Sequence, residues 1–170
     1  MGEGEPDSAV LALLWGRPAR ILMVRKRCQP GYPWACDLAL PGGRIEEGEE
    51  AWETAVREAW EEAWIHPKSV EVVGGYCCES TLARPRRIEV VIAVLAGPAE
   101  PKPSGGEVDA AIWLKLSLLS RSPRPVHHPI AGRVLGYKLG GGLTLWGATM
   151  RIARRLLALI QSGEPWSVKR

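Results

Sequence analysis

An acidic, uninterrupted segment that follows a glycine turn constrains this chain more than any other feature. After a Pro-Gly-Gly turn at 41–43, the segment Glu49–Ala63 contains neither glycine nor proline, which predicts a helix. Eight glutamates fall within Leu40–Ile65, and Arg57 is the only cation of the predicted helix. Because like charges one helical turn apart repel, this crowding requires either exposure to solvent or a bound cation.

Three of these glutamates are predicted to project from one side of the helix. At about 100° per residue, Glu58, Glu61 and Glu62 fall within roughly 100° of one another. Surface helices usually mix charge signs to form pairs one turn apart, and this helix has almost no such pairs. Three carboxylates beside a turn with accessible carbonyl groups suit Mg2+ or Mn2+, and a solvated acidic face is the alternative.

Another side of the predicted helix is narrow and apolar, and we expect it to pack closely on a sheet. Its residues are Trp52, Val56, Ala59 and Ala63. Gly48 is expected to be the N-cap, with acidic residues in the first turn where the helix dipole favours negative charge.

Apolar runs rich in β-branched residues predict strands on both sides of this helix. The runs are AVLALLW, ARILMVRKR, CDLALPGG, SVEVVGGYCCES, RRIEVVIAVLAG and AAIWLKL. The last stretch, LTLWGATMRIARRLLALIQSG, predicts an amphipathic helix, whereas SRSPRPVHHPIAGRVLGYKLGGG is rich in proline and glycine and is expected to be irregular. A chain of 170 residues is expected to form a single domain spanning 1–170.

Composition argues against several classes of partner. A net charge of +3 without a dense basic cluster argues against binding to a nucleic acid duplex. The sequence has no apolar run of the ~18 residues that a membrane span needs, and its start does not read as a signal peptide, so we expect a cytoplasmic protein. The four cysteines show no C-x-x-C spacing and are expected to be buried small hydrophobes, with a disulfide left open.

The spacing of the acidic segment resembles the Nudix box, the signature of Nudix hydrolases. The matching positions are Gly43, Glu49, Arg57, Glu58, Glu61, Glu62 and Ile65. Two positions depart from the pattern: Ala59 replaces an aliphatic residue, and Trp64 replaces the glycine that permits a left-handed helix end. The resemblance implies an α/β fold, an α/β/α sandwich with a mixed β-sheet between helices.

The resemblance also implies an activity: metal-dependent cleavage of a nucleoside diphosphate linked to another group. In family terms the catalytic set is Arg57, Glu58, Glu61 and Glu62, and the metal set is the carbonyl of Gly42 with Glu58, Glu61 and Glu62. Glu61 would be a ligand or would position the attacking water. An ion pair between Arg57 and Glu49 would orient Glu58. The implied cofactor is Mg2+ or Mn2+, which would neutralise the phosphates and activate water.

Residues outside the box complete the predicted site. Glu107, in the loop before a strand, is the candidate for a further catalytic carboxylate, with Asp109 as its substitute. Candidate phosphate contacts are Arg25, Arg27, Arg44, Arg84, Arg86 and Arg87, of which Arg25, Arg44 and Arg86 are taken as substrate-binding, because a guanidinium grips phosphate in two places. His127 and His128 are expected to be surface residues.

The substrate prediction rests on a resemblance to one subgroup. The stretch LTLWGATMRIARRLL resembles the last helix of coenzyme A diphosphatase-like Nudix proteins, and ILMVRKR and LALPGGRIEEGE fit them as well. An arginine and a glycine expected upstream are replaced by Tyr32 and Cys36. Coenzyme A is therefore the first candidate, with ADP-ribose or a nucleotide sugar as the second. The alternative of another class is a Nudix-fold module that binds nucleotides without cleaving them. The three retained glutamates argue against it. A homodimer is left open.

Overall fold

The computed structural model describes residues 4–31, 35–81 and 86–163 of the chain. Within these ranges it contains two α-helices, α1 (Ala51–Ala63) and α2 (Gly147–Ser162), and ten strands. The strands are β1 (Ser8–Trp15), β2 (Arg20–Lys26), β3 (Leu38–Ala39), β4 (Gly42–Arg44), β5 (Val70–Ser80), β6 (Arg87–Leu95), β7 (Val108–Lys115), β8 (Arg124–His128), β9 (Gly132–Lys138) and β10 (Thr144–Trp146).

Seven strands form one mixed sheet that opens where the glycine turn enters it. β1 and β2 pair only near their connecting turn, at Leu14–Ile21 and Trp15–Arg20, and then separate. In the space between them, β3 pairs with β2 and β4 pairs with β1. β6 runs parallel to β1, β5 lies outside β6, and β7 pairs with the other edge of β2. This opening brings the Pro-Gly-Gly turn into the sheet.

Each face of this sheet is covered by a helix, which confirms the predicted α/β/α sandwich. α1 packs on one face through its small residues, because Ala55, Ala59 and Ala63 are fully buried against β1 and β2. α2 packs on the other face through Ile152, Ala153 and Leu156. Each cluster takes alternate residues of the same strands, as the two-residue period of a strand requires.

The prediction of an irregular segment after β7 is wrong. The segment contains β8 and β9, which form a three-stranded sheet with the following β10 in the order β10–β9–β8. Gly132 takes a positive φ of 72° at the β8–β9 turn, so the glycine serves a hairpin and does not mark disorder. The C-terminal helix also starts later than predicted, because Thr144–Trp146 is strand β10.

Both ends of α1 differ from the simplest expectation. The N-cap is Glu50 and not Gly48, because Glu50 and Glu53 form a reciprocal capping box that satisfies two backbone N–H groups. At the other end Trp64 takes the left-handed conformation, with φ 58° and ψ 33°. The tryptophan thus occupies the conformation for which a glycine is expected. Trp52 was expected to belong to the buried apolar stripe, but it is 50% exposed.

The cysteines are not buried hydrophobes, so that prediction is wrong. Cys28 and Cys36 form a disulfide whose Cα atoms lie 4.5 Å apart, within the usual range for such a bond. Cys77 and Cys78 form a second disulfide between neighbouring residues of β5. Three of the four cysteines are exposed, and Cys78 is half-buried. No helix in the described ranges is long and apolar enough to cross a membrane.

Trp64→Gly is expected to stabilise the protein. The side chain is 59% exposed, so little burial is lost, while the left-handed conformation costs a bulky residue ~1–2 kcal/mol. After the entropy of the added glycine is subtracted, urea unfolding should show a gain of about 0.5–1 kcal/mol. Trp52→Gly, inside α1, is the control and should lose about 1 kcal/mol. A loss in Trp64→Gly would mean that the contact between the Trp60 and Trp64 rings, 5.7 Å between centroids, outweighs the strain.

Candidate metal and substrate site

The centre of the site is the close contact between α1 and β4. A Cβ atom on Gly43 would collide with the Glu58 carboxylate, and a Cβ atom on Gly42 would collide with the backbone and side chains of β1. Gly42 therefore lets β4 pair closely with β1, and Gly43 lets the Glu58 carboxylate lie against the backbone of β4. The result is a carboxylate placed directly over the backbone of the turn.

Arg57 organises the glutamates around this contact. Its Nε and Nη2 atoms donate to the two carboxylate oxygens of Glu49 at 2.8 and 3.1 Å, which is the expected ion pair. Its Nη1 donates to Glu58 Oε1 at 3.0 Å and to Glu61 Oε2 at 3.3 Å. The hydrogen bonds from Arg57 and the Thr54 hydroxyl hold the pKa of Glu49 at about 2. Arg57 thus fixes one oxygen of Glu58 toward the helix.

Glu62 is the most buried carboxylate of the box and is held by two donors. Lys26 Nζ, from the end of β2, contacts Glu62 Oε1, and the two side chains are 15% and 10% exposed. The backbone N–H of Gly42 donates to Glu62 Oε2 at 3.2 Å. Helix, strand and glycine turn therefore meet at one carboxylate.

Burial and repulsion both act on the two inner carboxylates. Burial raises the pKa of Glu58, and the neighbouring Glu62 raises it further, while Arg57 lowers it. Burial likewise raises the pKa of Glu62, against the effect of Lys26, and Glu107 adds to the increase. Two adjacent, partly desolvated carboxylates are stabilised by any cation placed between them.

This donor set fits a divalent cation such as Mg2+ or Mn2+. The oxygens of Glu58 and Glu62 are hard ligands, they face the backbone of the glycine turn, and their mutual repulsion favours a bound positive charge. Glu61 is 53% exposed and contacts Arg57. Among the described residues no group of three or more His, Cys, Asp and Glu side chains is arranged to hold a metal, so the ligand roles of Glu61 and the Gly42 carbonyl stay predictions.

The loop before β7 brings Glu107 to the site and directs Asp109 elsewhere. Backbone N–H groups of this loop donate to the last carbonyls of α1, from Ser104 to Glu62 at 3.2 Å and from Lys102 to Ala63 at 3.0 Å. Glu107 lies near enough to raise the pKa of Glu62. Asp109 instead accepts a 2.6 Å hydrogen bond from Arg25 Nε. The geometry therefore favours Glu107 over its substitute.

The predicted phosphate-binding arginines separate into two groups. Arg25 is engaged with Asp109, and Arg27 donates to the Gly105 carbonyl. Arg44 and Arg86 line one cavity of about 380 Å³ together with Pro6, Asp7 and Ile45. Neither makes an ion pair with a carboxylate in the part of the chain that the structure describes. Arg84 lies outside the described residues, and Arg87 is exposed on β6.

A second cavity, of about 330 Å³, lies beyond the end of β2. One wall is formed by Cys28–Pro30 and Ala35–Asp37, and the other by His128–Ile130, Gly142 and Thr144. His128 is only 3% exposed, so the prediction of a surface residue is wrong for it, whereas His127 is exposed. The two alternate on strand β8, which turns one outward and the next inward.

His128 joins the two walls of this cavity. Its Nδ1 accepts hydrogen bonds from the backbone N–H groups of Ile130 and Ala131 at 3.2 and 2.9 Å. The proton therefore lies on Nε2, which donates to Asp37 Oδ1 at 2.7 Å. Both ring nitrogens are engaged, so His128 holds the walls together and is not a free base.

Sequence reasoning missed Lys26, Asp37 and His128. Lys26 could have been found from the alternation in β2, because Leu22, Val24 and Lys26 share the side that faces α1. The Asp37–His128 contact spans 91 residues of sequence, and no local pattern could indicate it.

Comparison with known proteins agrees with this geometry. The profile of the family described as NUDIX domain matches residues 5–135, which is most of the chain and contains the whole α1–β4 site. The chain belongs to the Nudix family. The family identified from the box spacing is therefore confirmed.

One curated relative and two solved structures illustrate the relationship. Peroxisomal coenzyme A diphosphatase ndx-8 of Caenorhabditis elegans is 31% identical over 121 residues, which are 68% of this chain and 51% of that protein. The chain thus spans about half the length of this relative. The Nudix hydrolase RenU from M. smegmatis superposes with a TM-score of 0.63 at 17% identity, covering 97% of this Nudix chain and 90% of RenU. A C. elegans Ap4A hydrolase binary complex superposes with a TM-score of 0.54 at 22% identity, covering 65% of this chain and 80% of the Ap4A hydrolase chain. At these identities the two structures show the fold alone.

Proposed function

We propose that this Nudix protein is a divalent-metal-dependent hydrolase that cleaves the diphosphate bond of a nucleoside diphosphate linked to another group. The observation that carries the proposal is the pair of desolvated carboxylates, Glu58 and Glu62, pressed against the glycine turn. A purely structural helix would gain nothing from burying two repelling charges at this point. A metal-dependent enzyme needs such a pair.

Each residue of the site has a role in this proposal. Glu58 and Glu62 would hold the cation, which when bound neutralises the diphosphate and activates a water molecule. Arg57 keeps Glu58 in position through its bidentate pair with Glu49. Glu107 or Glu61 would take the proton from the attacking water. The loop that carries Glu107 is tied to the end of α1 through Lys102 and Ser104, which keeps this loop beside the proposed metal ligands.

For the substrate we propose coenzyme A or a derivative. The similarity to a coenzyme A diphosphatase supports this choice, and so does the cavity that contains Arg44 and Arg86. Two guanidinium groups without an ion-pair partner among the described residues favour an anion, and the 3'-phosphate of coenzyme A is an anionic group that ADP-ribose lacks. The second cavity, beyond β2, is a candidate for another part of the substrate.

Glu62→Gln tests the metal-binding face. The substitution keeps the shape of the side chain and removes its charge, so turnover should drop by ~100-fold or more, and chelation should abolish activity of the unmodified protein. Turnover is measured on coenzyme A with Mg2+ and with Mn2+. Glu71→Gln, at an exposed position of β5, is the control and should behave normally. Near-normal turnover in Glu62→Gln would exclude this face as the active site.

Glu107→Gln and Asp109→Asn test which carboxylate completes the site. Because Glu107 lies near Glu62 while Asp109 is paired with Arg25, Glu107→Gln should lower kcat by at least ~30-fold with little change in KM. Asp109→Asn should retain most of the activity. Steady-state kinetics of both variants answer the question, and the reverse order of effects would assign the role to Asp109.

Recognition of the 3'-phosphate is tested with paired substrates. We expect coenzyme A to be cleaved to 3',5'-ADP and 4'-phosphopantetheine, with kcat/KM at least ~10-fold above that for dephospho-coenzyme A, since an arginine–phosphate contact contributes about 1.5–3 kcal/mol. Arg44→Gln and Arg86→Gln should remove this preference, and the exposed Arg154→Gln on α2 should not. Equal rates for both substrates in the unmodified protein would contradict 3'-phosphate recognition. A preference for ADP-ribose would indicate the other substrate class.

A further inference from the structure

The carboxylate of Glu62 has both of its oxygens occupied by groups of the protein itself. Lys26 Nζ contacts Oε1, and the Gly42 N–H donates to Oε2. Glu62 is 8% exposed, and Lys26 is nearly as well covered, so their contact is largely shielded from water. A carboxylate in this state already holds a cation, the ammonium group of Lys26.

The position of Lys26 is determined by the backbone on both sides of β2. Its N–H donates to the Asp37 carbonyl and its carbonyl accepts from the Cys36 N–H, each at 2.9 Å. On the other side, β2 pairs with β7 through a bulge between Arg25 and Lys26. The extra residue is Asp109 of β7, so β2 keeps its regular alternation and Lys26 shares the side of Val24. Arg25 reaches Asp109, and Lys26 reaches Glu62.

Two cations, Arg57 and Lys26, balance the negative charges of the site. Arg57 contacts Glu49, Glu58 and Glu61, so it balances the side of the site that Glu58 forms. Lys26 is the cation that contacts Glu62 among the described residues, and Glu107 adds a further negative charge nearby. Without Lys26, the Glu62 side would be strongly negative.

We propose that Lys26 is an internal cation that occupies the Glu62 side of the site in the metal-free protein and leaves Glu62 when a divalent metal binds. An ammonium group is a compact charge on a flexible stem, so it can fill the place of a metal ion and can withdraw from it. Lys26 therefore offsets the charge of Glu62 before a metal binds and weakens metal binding. This inference rests on the proposed metal site and does not depend on which substrate is cleaved.

Lys26→Met tests the competition directly. Methionine keeps most of the apolar stem and removes the charge, so Mn2+ should bind about tenfold more tightly or better, as measured by electron paramagnetic resonance of free Mn2+ and by calorimetry. In the absence of metal the variant should unfold at a lower temperature than the unmodified protein, and Mn2+ should raise its Tm by a larger amount. Lys115→Met, which removes an exposed lysine at the end of β7, is the matched control and should leave Mn2+ affinity unchanged.

A second measurement needs no variant. Acetylation of Lys26 by an amine-reactive reagent, followed by peptide mass spectrometry, should be slow in the metal-free protein and several-fold faster with saturating Mn2+. The exposed Lys68 serves as the internal reference. Unchanged or slower modification of Lys26 on adding Mn2+ would overturn the proposal even if Lys26→Met does not fold.

The outcomes separate this inference from the proposed function. Equal or weaker Mn2+ affinity in folded Lys26→Met shows that the lysine only supports Glu62, and the inference is then wrong while metal-dependent hydrolysis stands. If Lys26→Met binds Mn2+ tightly but the protein cleaves no nucleotide diphosphate, the inference is supported and the proposed function is wrong. If neither Lys26→Met nor the unmodified protein binds Mn2+, both the inference and the proposed function are wrong.

Discussion

The whole site depends on how closely α1 can approach β4. The approach is possible because the helix presents alanines to the sheet and because the strand presents two glycines to the helix and to β1. A single methyl group on Gly43 would displace the Glu58 carboxylate, and with it the hydrogen bonds of Arg57. The same contact that buries the alanines also desolvates the glutamates. Close packing in the core and the placement of charge in the site therefore depend on each other.

Desolvated carboxylates need cations, and the fold supplies two of them from different places. Arg57 comes from the helix itself and binds three glutamates through a planar group whose geometry suits several carboxylates at once. Lys26 comes from the sheet and reaches one glutamate through a flexible chain. The arginine is thus suited to a permanent structural role, and the lysine is suited to a position that another cation can take.

The sequence predicted the local part of this arrangement well. The strands and the acidic helix follow from residue types at fixed spacing, because a helix or strand imposes its period on the chain. The Arg57–Glu49 pair was implied by the resemblance of the box to the Nudix signature. The parts that failed depend on distant contacts. The hairpin after β7 was not predicted, because the prolines and glycines that serve its turns indicated an irregular segment. The burial of His128 depends on Asp37, which lies 91 residues earlier. Trp52 fitted the helical stripe, yet its side chain is half exposed.

The direction of side chains on β4 limits which substrates can use both parts of the site. Gly43 faces α1 and Glu58, and its neighbour Arg44 must point to the opposite face because consecutive residues of a strand alternate. Arg44, which lines a cavity together with Arg86, therefore points away from Glu58. In the proposed reaction the cation at the glutamates would take the diphosphate, and two guanidiniums that form no ion pair among the described residues would suit an additional phosphate on the ribose. The separation of the carboxylates from the two arginines is thus consistent with the proposal of a substrate that carries phosphate at two distinct positions.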